Sequence, residues 1–173
     1  MSTEINLSKP LLDSDPCDTC SITKLHSRPH KNPIQRGKLP LELIHSDVLG
    51  PFTLGWEGSK YIITFLCDAT QLSEVYLVKH KSEAFNCFKH FKQKYETPDR
   101  LIRHMKIRRL RTDNGGEYSS QEMADYLFQY GITHEFTVPG NPQQNGASER
   151  LGGIIWEKAK SFLKLAGLPA KFW

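Results

Sequence analysis

The stretch RTDNGGEY, residues 111–118, places a carboxylate between a strand pattern and a turn pattern. The segment MKIRRLRTD predicts a strand that ends at Asp113, and the following Asn-Gly-Gly predicts a tight turn. A single aspartate at a strand end is most often a turn-former, because Asp side chains bond their own backbone there. A chemical role for Asp113 therefore depends on whether other carboxylates converge on it.

The pattern outward from this stretch predicts the element order β-β-β-α-β-α-β-α. Three strands at residues 41–50, 60–68 and 74–80 are predicted to form an antiparallel meander, and a fifth strand is predicted at 132–138. Helices are predicted at 82–96, capped by Ser82, at 119–131, with a capping box from Ser119, and at 147–166. The predicted buried stripe of the last helix is Leu151, Ile155, Ala159, Phe162 and Ala166. A mixed sheet flanked by helices is the natural packing of this order.

Composition excludes few classes of function. The chain has 173 residues and a net charge of +4, which permits a polyanionic partner without requiring one. It has no long apolar run, and its N-terminus lacks the pattern of a signal peptide. The single cysteines Cys67 and Cys87 lie in apolar patterns and are predicted to fill the core, which is typical of an intracellular, reducing environment.

Three carboxylates lie at predicted element ends. Asp47 is predicted at the end of the first strand, Asp113 at the end of the fourth, and Glu149 in the first turn of the long helix. Three adjacent carboxylates would repel one another, and a hard divalent cation such as Mg²⁺ or Mn²⁺ would offset the repulsion. Two such ions roughly 3.5–4 Å apart could stabilise an in-line phosphoryl displacement. In that arrangement Asp47 bridges both ions, Asp113 holds one and Glu149 holds the other.

Three sequence blocks carry a family resemblance. The blocks HSDVLGP (45–51), RTDNGGEY (111–118) and PQQNGASER (142–150) resemble the catalytic blocks of the integrase core of retroviruses and LTR retrotransposons, most closely of the copia type. Thirty-five residues separate Asp113 from Glu149 (149 − 113 − 1), which is the spacing of that family's D,D-35-E signature. The resemblance implies an RNase H-like α/β fold with a five-stranded mixed sheet flanked by helices.

The resemblance also implies roles for individual residues. Asp47, Asp113 and Glu149 would be the catalytic, metal-binding triad. The activity would be integration of retrotransposon DNA by 3′-end processing and strand transfer, with Mg²⁺ or Mn²⁺ as cofactor. The residues expected to approach DNA are Gln143, Gln144, Asn145, Gly146 and Arg150. Lys160 is expected to contact DNA as well, because it shares the predicted helical face of Glu149.

Partners and location follow from the same resemblance. DNA, both element ends and target, is the expected partner, with RNA as a second nucleic acid. The full-length protein is expected to form homo-oligomers, to derive from a retrotransposon polyprotein and to act in the nucleus.

Residues 1–38 are predicted to be a leader that carries a remnant of a zinc module, and residues 39–173 a C-terminally truncated catalytic core. Cys17 and Cys20 resemble the second half of the family's His-His-Cys-Cys module, but no histidine precedes them. His26 and His30 follow, so a rearranged Cys₂His₂ zinc site is one interpretation. The other is that the cysteines bind no metal in this chain.

The segment after Glu149 departs from the family pattern. Many copia-type integrases continue as Arg-x-Asn-Arg, whereas this chain has Gly152 and Gly153, each of which costs about 1 kcal/mol in a helix interior relative to Ala. The pair could permit close approach of a phosphate backbone or another helix, or it could be drift in a decaying element. The alternative function is a catalytically silent nucleic-acid-binding remnant, in which the expected lack of half of the zinc module and of a C-terminal tail would prevent assembly on DNA ends. A hydrolytic RNase H-type nuclease is disfavoured because PQQNG matches integrases.

Overall fold

The computed structural model describes residues 36–96, 105–137 and 142–173, with the backbone alone at 142–145. Its strands are β1 (Leu43–Leu49), β2 (Tyr61–Cys67), β3 (Ser73–Val78), β4 (Arg109–Thr112) and β5 (Thr133–Phe136). Its helices are α1 (Ala84–Tyr95), α2 (Gln121–Gln129) and α3 (Pro142–Leu165), and short 3-10 turns lie at Lys81–Glu83, Gly116–Tyr118 and Ala170–Phe172. The predicted element order is confirmed.

The five strands form one mixed sheet in the order β3-β2-β1-β4-β5. The antiparallel pairs β1–β2 and β2–β3 confirm the predicted meander, and β4 pairs parallel with both β1 and β5. The parallel ladder between β1 and β4 joins Leu43 to Arg109, Ile44 to Leu110 and His45 to Arg111. The predicted five-stranded mixed sheet flanked by helices is confirmed.

The hydrophobic core involves one face of the sheet, α1 and α2. Ile44, Phe65 and Leu110 supply sheet residues, and Phe88 of α1 and Met123 of α2 belong to the same cluster, all fully buried. Cys67 and Cys87 are buried there as well, so their predicted place in the core is confirmed. Because side chains alternate along a strand, the neighbouring residues of β1 and β4 point to the opposite face, on which α3 packs against β1 and β2.

The predicted caps of the first two helices were wrong in detail. The Glu83 carboxylate, not Ser82, accepts hydrogen bonds from the backbone N–H groups of Lys79 and His80 before α1. Ser120, not Ser119, caps α2 by accepting from the Met123 N–H. A carboxylate can satisfy two N–H donors at once, and adjacent serines offer equal chemistry, so the sequence does not distinguish these alternatives.

Helix α3 begins at Pro142, five residues before the predicted start at Ala147, and Glu149 therefore lies in its third turn rather than its first. Proline suits the first turn of a helix, because the N–H that it lacks has no partner there. The predicted stripe is only partly right, since Phe162 is 67% exposed. No helix in the described ranges is long and apolar enough to cross a membrane.

One buried hydrogen bond joins the core face of β1 to the turn after β4. Tyr118 Oη lies 2.5 Å from Ser46 Oγ, and both side chains are buried. We expect Tyr118→Phe to lower the free energy of unfolding by about 1–2 kcal/mol, because Ser46 would lose this partner. Urea denaturation measures the change. Tyr130→Phe, at a half-exposed tyrosine, is the control. An equal loss in both variants would contradict the assignment.

Candidate active site

The parallel pairing of β1 with β4 brings Asp47 and Asp113 to one edge of the sheet. Each residue lies two positions beyond the last registered pair, His45 with Arg111, so the two carboxylates leave neighbouring strands at the same level. Asp113 follows the last residue of β4, as predicted. Asp47 is not the last residue of β1, because the strand continues for two residues as the partner of β2.

Local backbone donors hold both aspartates. Asp47 Oδ1 accepts a hydrogen bond from the Val48 N–H at 2.9 Å, and Asp113 Oδ1 accepts one from the Gly115 N–H at 3.2 Å. The second contact is the turn geometry expected of Asp before Asn-Gly-Gly. Both side chains are half-buried, and each carboxylate has a second oxygen that these contacts leave available to a ligand.

Glu149 reaches the same edge from α3. It is exposed, and the helix that carries it packs against β1 and β2. Gly152, one turn later on the same helical face, approaches Leu49 so closely that an added Cβ would lie 2.8 Å from Leu49 Cδ1. Gly152 therefore faces β1, rather than another helix, and Gly153 has nothing within 4 Å of its corresponding position.

The electrostatics of Asp47 record this convergence. The pKa of Asp47 is raised to about 6, first by burial and then by the negative charges of Asp113 and Glu149, while the Val48 N–H opposes the shift. Like charges disfavour ionisation only at short range, so Asp113 and Glu149 both lie within electrostatic reach of Asp47.

A fourth carboxylate, Glu117, belongs to the same cluster. It also raises the pKa of Asp47, and its carboxyl carbon lies 2.8 Å from the position that a Cβ on Gly115 would occupy. Glu117 is not among the site residues predicted from the sequence. The signal was its place in the turn after Asp113, where the 3-10 turn at Gly116–Tyr118 returns the chain toward the carboxylates.

The donor set fits a hard divalent cation, because carboxylate oxygens are the ligands that Mg²⁺ and Mn²⁺ prefer. The carboxylates do not form a preassembled cage, however. Within residues 36–96, 105–137 and 142–173, no group of three or more His, Cys, Asp or Glu side chains is arranged to hold a metal ion. Asp113 and Glu149 therefore act electrostatically on Asp47, but the three carboxylates are not arranged as ligands of one metal ion.

The other predicted site residues have mixed outcomes. Arg150 and Lys160 are exposed on α3, and Lys160 Nζ lies 5.7 Å from the ring centroid of Trp156. Gly146 is buried within the helix. The backbone of Gln143, Gln144 and Asn145 is helical rather than a loop, and their side chains are outside the described atoms. Cys17, Cys20, His26 and His30, the candidate zinc ligands, lie outside the described residues.

Comparison with protein families assigns residues 37–142, more than half of the chain, to the integrase core domain. Asp47 and Asp113 fall within this range and Glu149 lies beyond it.

Among curated proteins, the chain is 42% identical over 159 residues to the retrovirus-related Pol polyprotein from transposon TNT 1-94 of Nicotiana tabacum, covering 91% of this chain and 12% of the relative. It is 34% identical over 169 residues to the Pol polyprotein from transposon RE2 of Arabidopsis thaliana, covering 98% of this chain and 11% of that protein. The chain thus spans about an eighth or less of the length of these relatives.

Two solved structures share the fold. The first, from a simian T-cell lymphotropic virus intasome in complex with PP2A regulatory subunit B56 gamma, has a TM-score of 0.63 and 22% identity, covering 88% of this chain and 52% of that chain. The second, the HTLV-2 integrase catalytic core domain in complex with magnesium (trimeric form), has a TM-score of 0.57 and 23% identity, covering 78% and 80%. The mixed sheet is therefore the RNase H-like fold of retroviral integrase cores. The chain belongs to the integrase core domain family, as an integrase catalytic core of the copia type of LTR retrotransposon.

Proposed function

We propose that this chain is the catalytic core of a metal-dependent polynucleotidyl transferase that joins retrotransposon DNA to target DNA. The observation that carries the proposal is the convergence of Asp47, Asp113 and Glu149 on one sheet edge, expressed in the raised pKa of Asp47. Integrase core family membership supports the same reaction class.

Asp47, Asp113 and Glu149 would hold the divalent cation, which when bound supplies charge neutralisation and Lewis acidity at the reacting phosphate. The two aspartates come from the rigid sheet edge, whereas Glu149 comes from a helix that packs on it. Asp47 and Asp113 are half-buried and Glu149 is exposed, so the cluster is accessible to a DNA phosphate from the α3 side. The open ligand arrangement is consistent with assembly of the site when cation and DNA are present.

DNA is the proposed partner, and α3 the proposed surface for it. Arg150 follows Glu149 directly, and Lys158, Lys160 and Lys164 continue the positive charge along the same helix. Exposed lysines and arginines bind phosphates with little sequence preference. The full-length protein would assemble as several copies on paired DNA ends and act in the nucleus, and a zinc ion would be bound by Cys17 and Cys20 only in that full-length protein.

The alternative is a catalytically silent nucleic-acid-binding remnant. The observation that favours it is the absence, within the described residues, of three side chains already placed as metal ligands. Such a protein would keep the fold and the basic helix but would not perform phosphoryl transfer.

Substitution of Asp113 tests the proposed chemistry. Asp113→Asn keeps the size of the side chain but removes its charge, so we expect strand transfer with Mn²⁺ or Mg²⁺ to fall by at least about 100-fold, a loss typical of removing one strong catalytic interaction. The substrate is an oligonucleotide that matches the element's own end. Asp125→Asn, on the exposed face of α2, is the matched control and should retain activity. Equal activity in the two variants would contradict the assignment of Asp113.

A second substrate separates the core from its flanking segments. That substrate is a pre-branched DNA. If the wild-type chain cleaves that substrate and Asp113→Asn does not, the core is catalytic. If folded wild-type protein binds DNA but acts on neither substrate, the remnant function is correct.

Stability should depend on pH in opposite directions with and without cation. In chelator, the folded pKa of Asp47 of about 6 exceeds the unfolded value of about 3.9, so the folded state holds the proton more tightly and loses stability as pH rises through that window. With Mg²⁺ or Mn²⁺, the cation competes with the proton, so its stabilising effect should grow as pH rises through about 6. Thermal unfolding of wild type and Asp47→Asn measures both trends, and identical pH profiles in the two proteins would contradict the prediction.

A further inference from the structure

We propose that Gly152 is a positioning residue, whose missing side chain lets α3 dock on Leu49 of β1 and thereby sets the place of Glu149 beside Asp47. The inference rests on the proposed function, since it concerns the same carboxylate cluster. It assigns a role to a glycine that departs from the pattern of the family.

The contact with Leu49 is close enough to exclude any larger residue in the present arrangement. A Cβ at position 152 would lie 2.8 Å from Leu49 Cδ1, nearer still to Cδ2, and 3.1 Å from Cγ. Real Cβ atoms almost never approach another atom within 3.0 Å. The backbone of Leu49 cannot easily retreat, because it is paired with Ile62 of β2. A side chain at position 152 must therefore displace either the Leu49 side chain or the helix.

Displacement of the helix would act on the end that carries Glu149. Beyond Gly152, the helix is held by Trp156, whose ring stacks on Phe52 with a centroid distance of 4.0 Å. Trp173 packs edge-on against both rings and donates its Nε1–H to the Thr53 carbonyl at 2.6 Å. These contacts fix the helix on one side of Gly152, so if the clash is relieved by movement of the helix rather than of the Leu49 side chain, the preceding turn, which contains Glu149, would be lifted.

Glu149, Gly152 and Trp156 have the spacing i, i+3 and i+7, which places them on one helical face. Along that face Gly152 approaches Leu49 and Trp156 stacks on Phe52, while the charge of Glu149 acts on Asp47, which precedes Leu49 in β1. Gly152 therefore lies on the helix between Trp156, which is held by Phe52, and Glu149, whose position we infer that Gly152 sets.

Gly153 provides a control within the same sequence. A Cβ added at Gly153 would have no other atom within 4 Å, and Gly153 is exposed. Both glycines carry the same intrinsic cost in a helix relative to alanine. A difference between Gly152→Ala and Gly153→Ala therefore reports the contact with Leu49 and not helix propensity.

The experiment compares four proteins: wild type, Gly152→Ala, Gly153→Ala, and the double variant Gly152→Ala with Leu49→Ala. Strand transfer and Mn²⁺ affinity, the latter by electron paramagnetic resonance of the free ion, are the functional measurements. We expect Gly152→Ala to lose about 100-fold in joining, because misplacement of a catalytic group by about 1 Å costs that much. Its Mn²⁺ affinity should fall at least several-fold, whereas Gly153→Ala should match wild type in both.

The double variant supplies the rescue. Leu49→Ala removes Cγ, Cδ1 and Cδ2, the three atoms that an alanine methyl at 152 would meet, so docking and Mn²⁺ affinity should return toward wild type. Thermal unfolding checks that each variant is folded. Wild-type behaviour of Gly152→Ala, or failure of a folded double variant to recover, would overturn the inference.

The measurements distinguish an error in the proposed function from an error in the positioning role of Gly152. If wild type neither binds Mn²⁺ nor joins DNA, the proposed function is wrong, and NMR alone decides the positioning role. Methyl NOEs from Leu49 to the Gly152 α protons should be present in wild type and Gly153→Ala. The Glu149 amide shift should change in Gly152→Ala and return in the double variant; an unchanged shift in Gly152→Ala would overturn the inference.

Discussion

The parallel ladder between β1 and β4 is the constraint on which the rest of the site depends. It joins segments that are 66 residues apart at the two aspartates (113 − 47), through a connection that contains β2, β3 and α1. A parallel pair requires such a long crossover, since no tight turn can link two strands that run in the same direction. Once the ladder forms, the levels of Asp47 and Asp113 at the sheet edge are no longer independent. A slip of one residue would turn one of the aspartates to the other face.

Because side chains alternate along each strand, the residues of the hydrophobic core and the carboxylates of the candidate site lie on opposite faces of the sheet. In β1, Ile44 and Ser46 face the core with Phe65 and Tyr118, whereas Asp47 and Leu49 face α3. In β4, Leu110 is buried in the core, while Arg111 pairs with Glu135 of β5 at 2.7 Å on the opposite face. Repelling carboxylates can therefore accumulate on one face without a carboxylate entering the apolar core on the other. Their cost is confined to the site, as the raised pKa of Asp47 indicates.

Much of this arrangement could be predicted from the sequence, because apolar periodicity identifies strands and turn residues mark their ends. The element order and the meander followed from that pattern, whereas the adjacency of the first and fourth strands depends on a long crossover and is known only from the structure. The start of α3 did not, since Asn145 and Gly146 have poor helix propensity and Pro142 reads equally well as a loop residue. Glu117 and the capping residues depend on backbone geometry within turns, where side chains three or four positions apart compete for the same donors.

Gly152 and Gly153 differ in the fold in a way that the sequence pattern does not reveal. In the sequence they are equivalent, and both read as a local cost to the helix. In the fold only Gly152 faces β1, so only at Gly152 does close packing against Leu49 offset the cost of a glycine in a helix. Drift in a decaying element would not distinguish the two positions, whereas a requirement for α3 to approach the sheet would act on Gly152 alone. The pair therefore has one constrained and one unconstrained member, and the constrained member lies one turn from the carboxylate that completes the cluster.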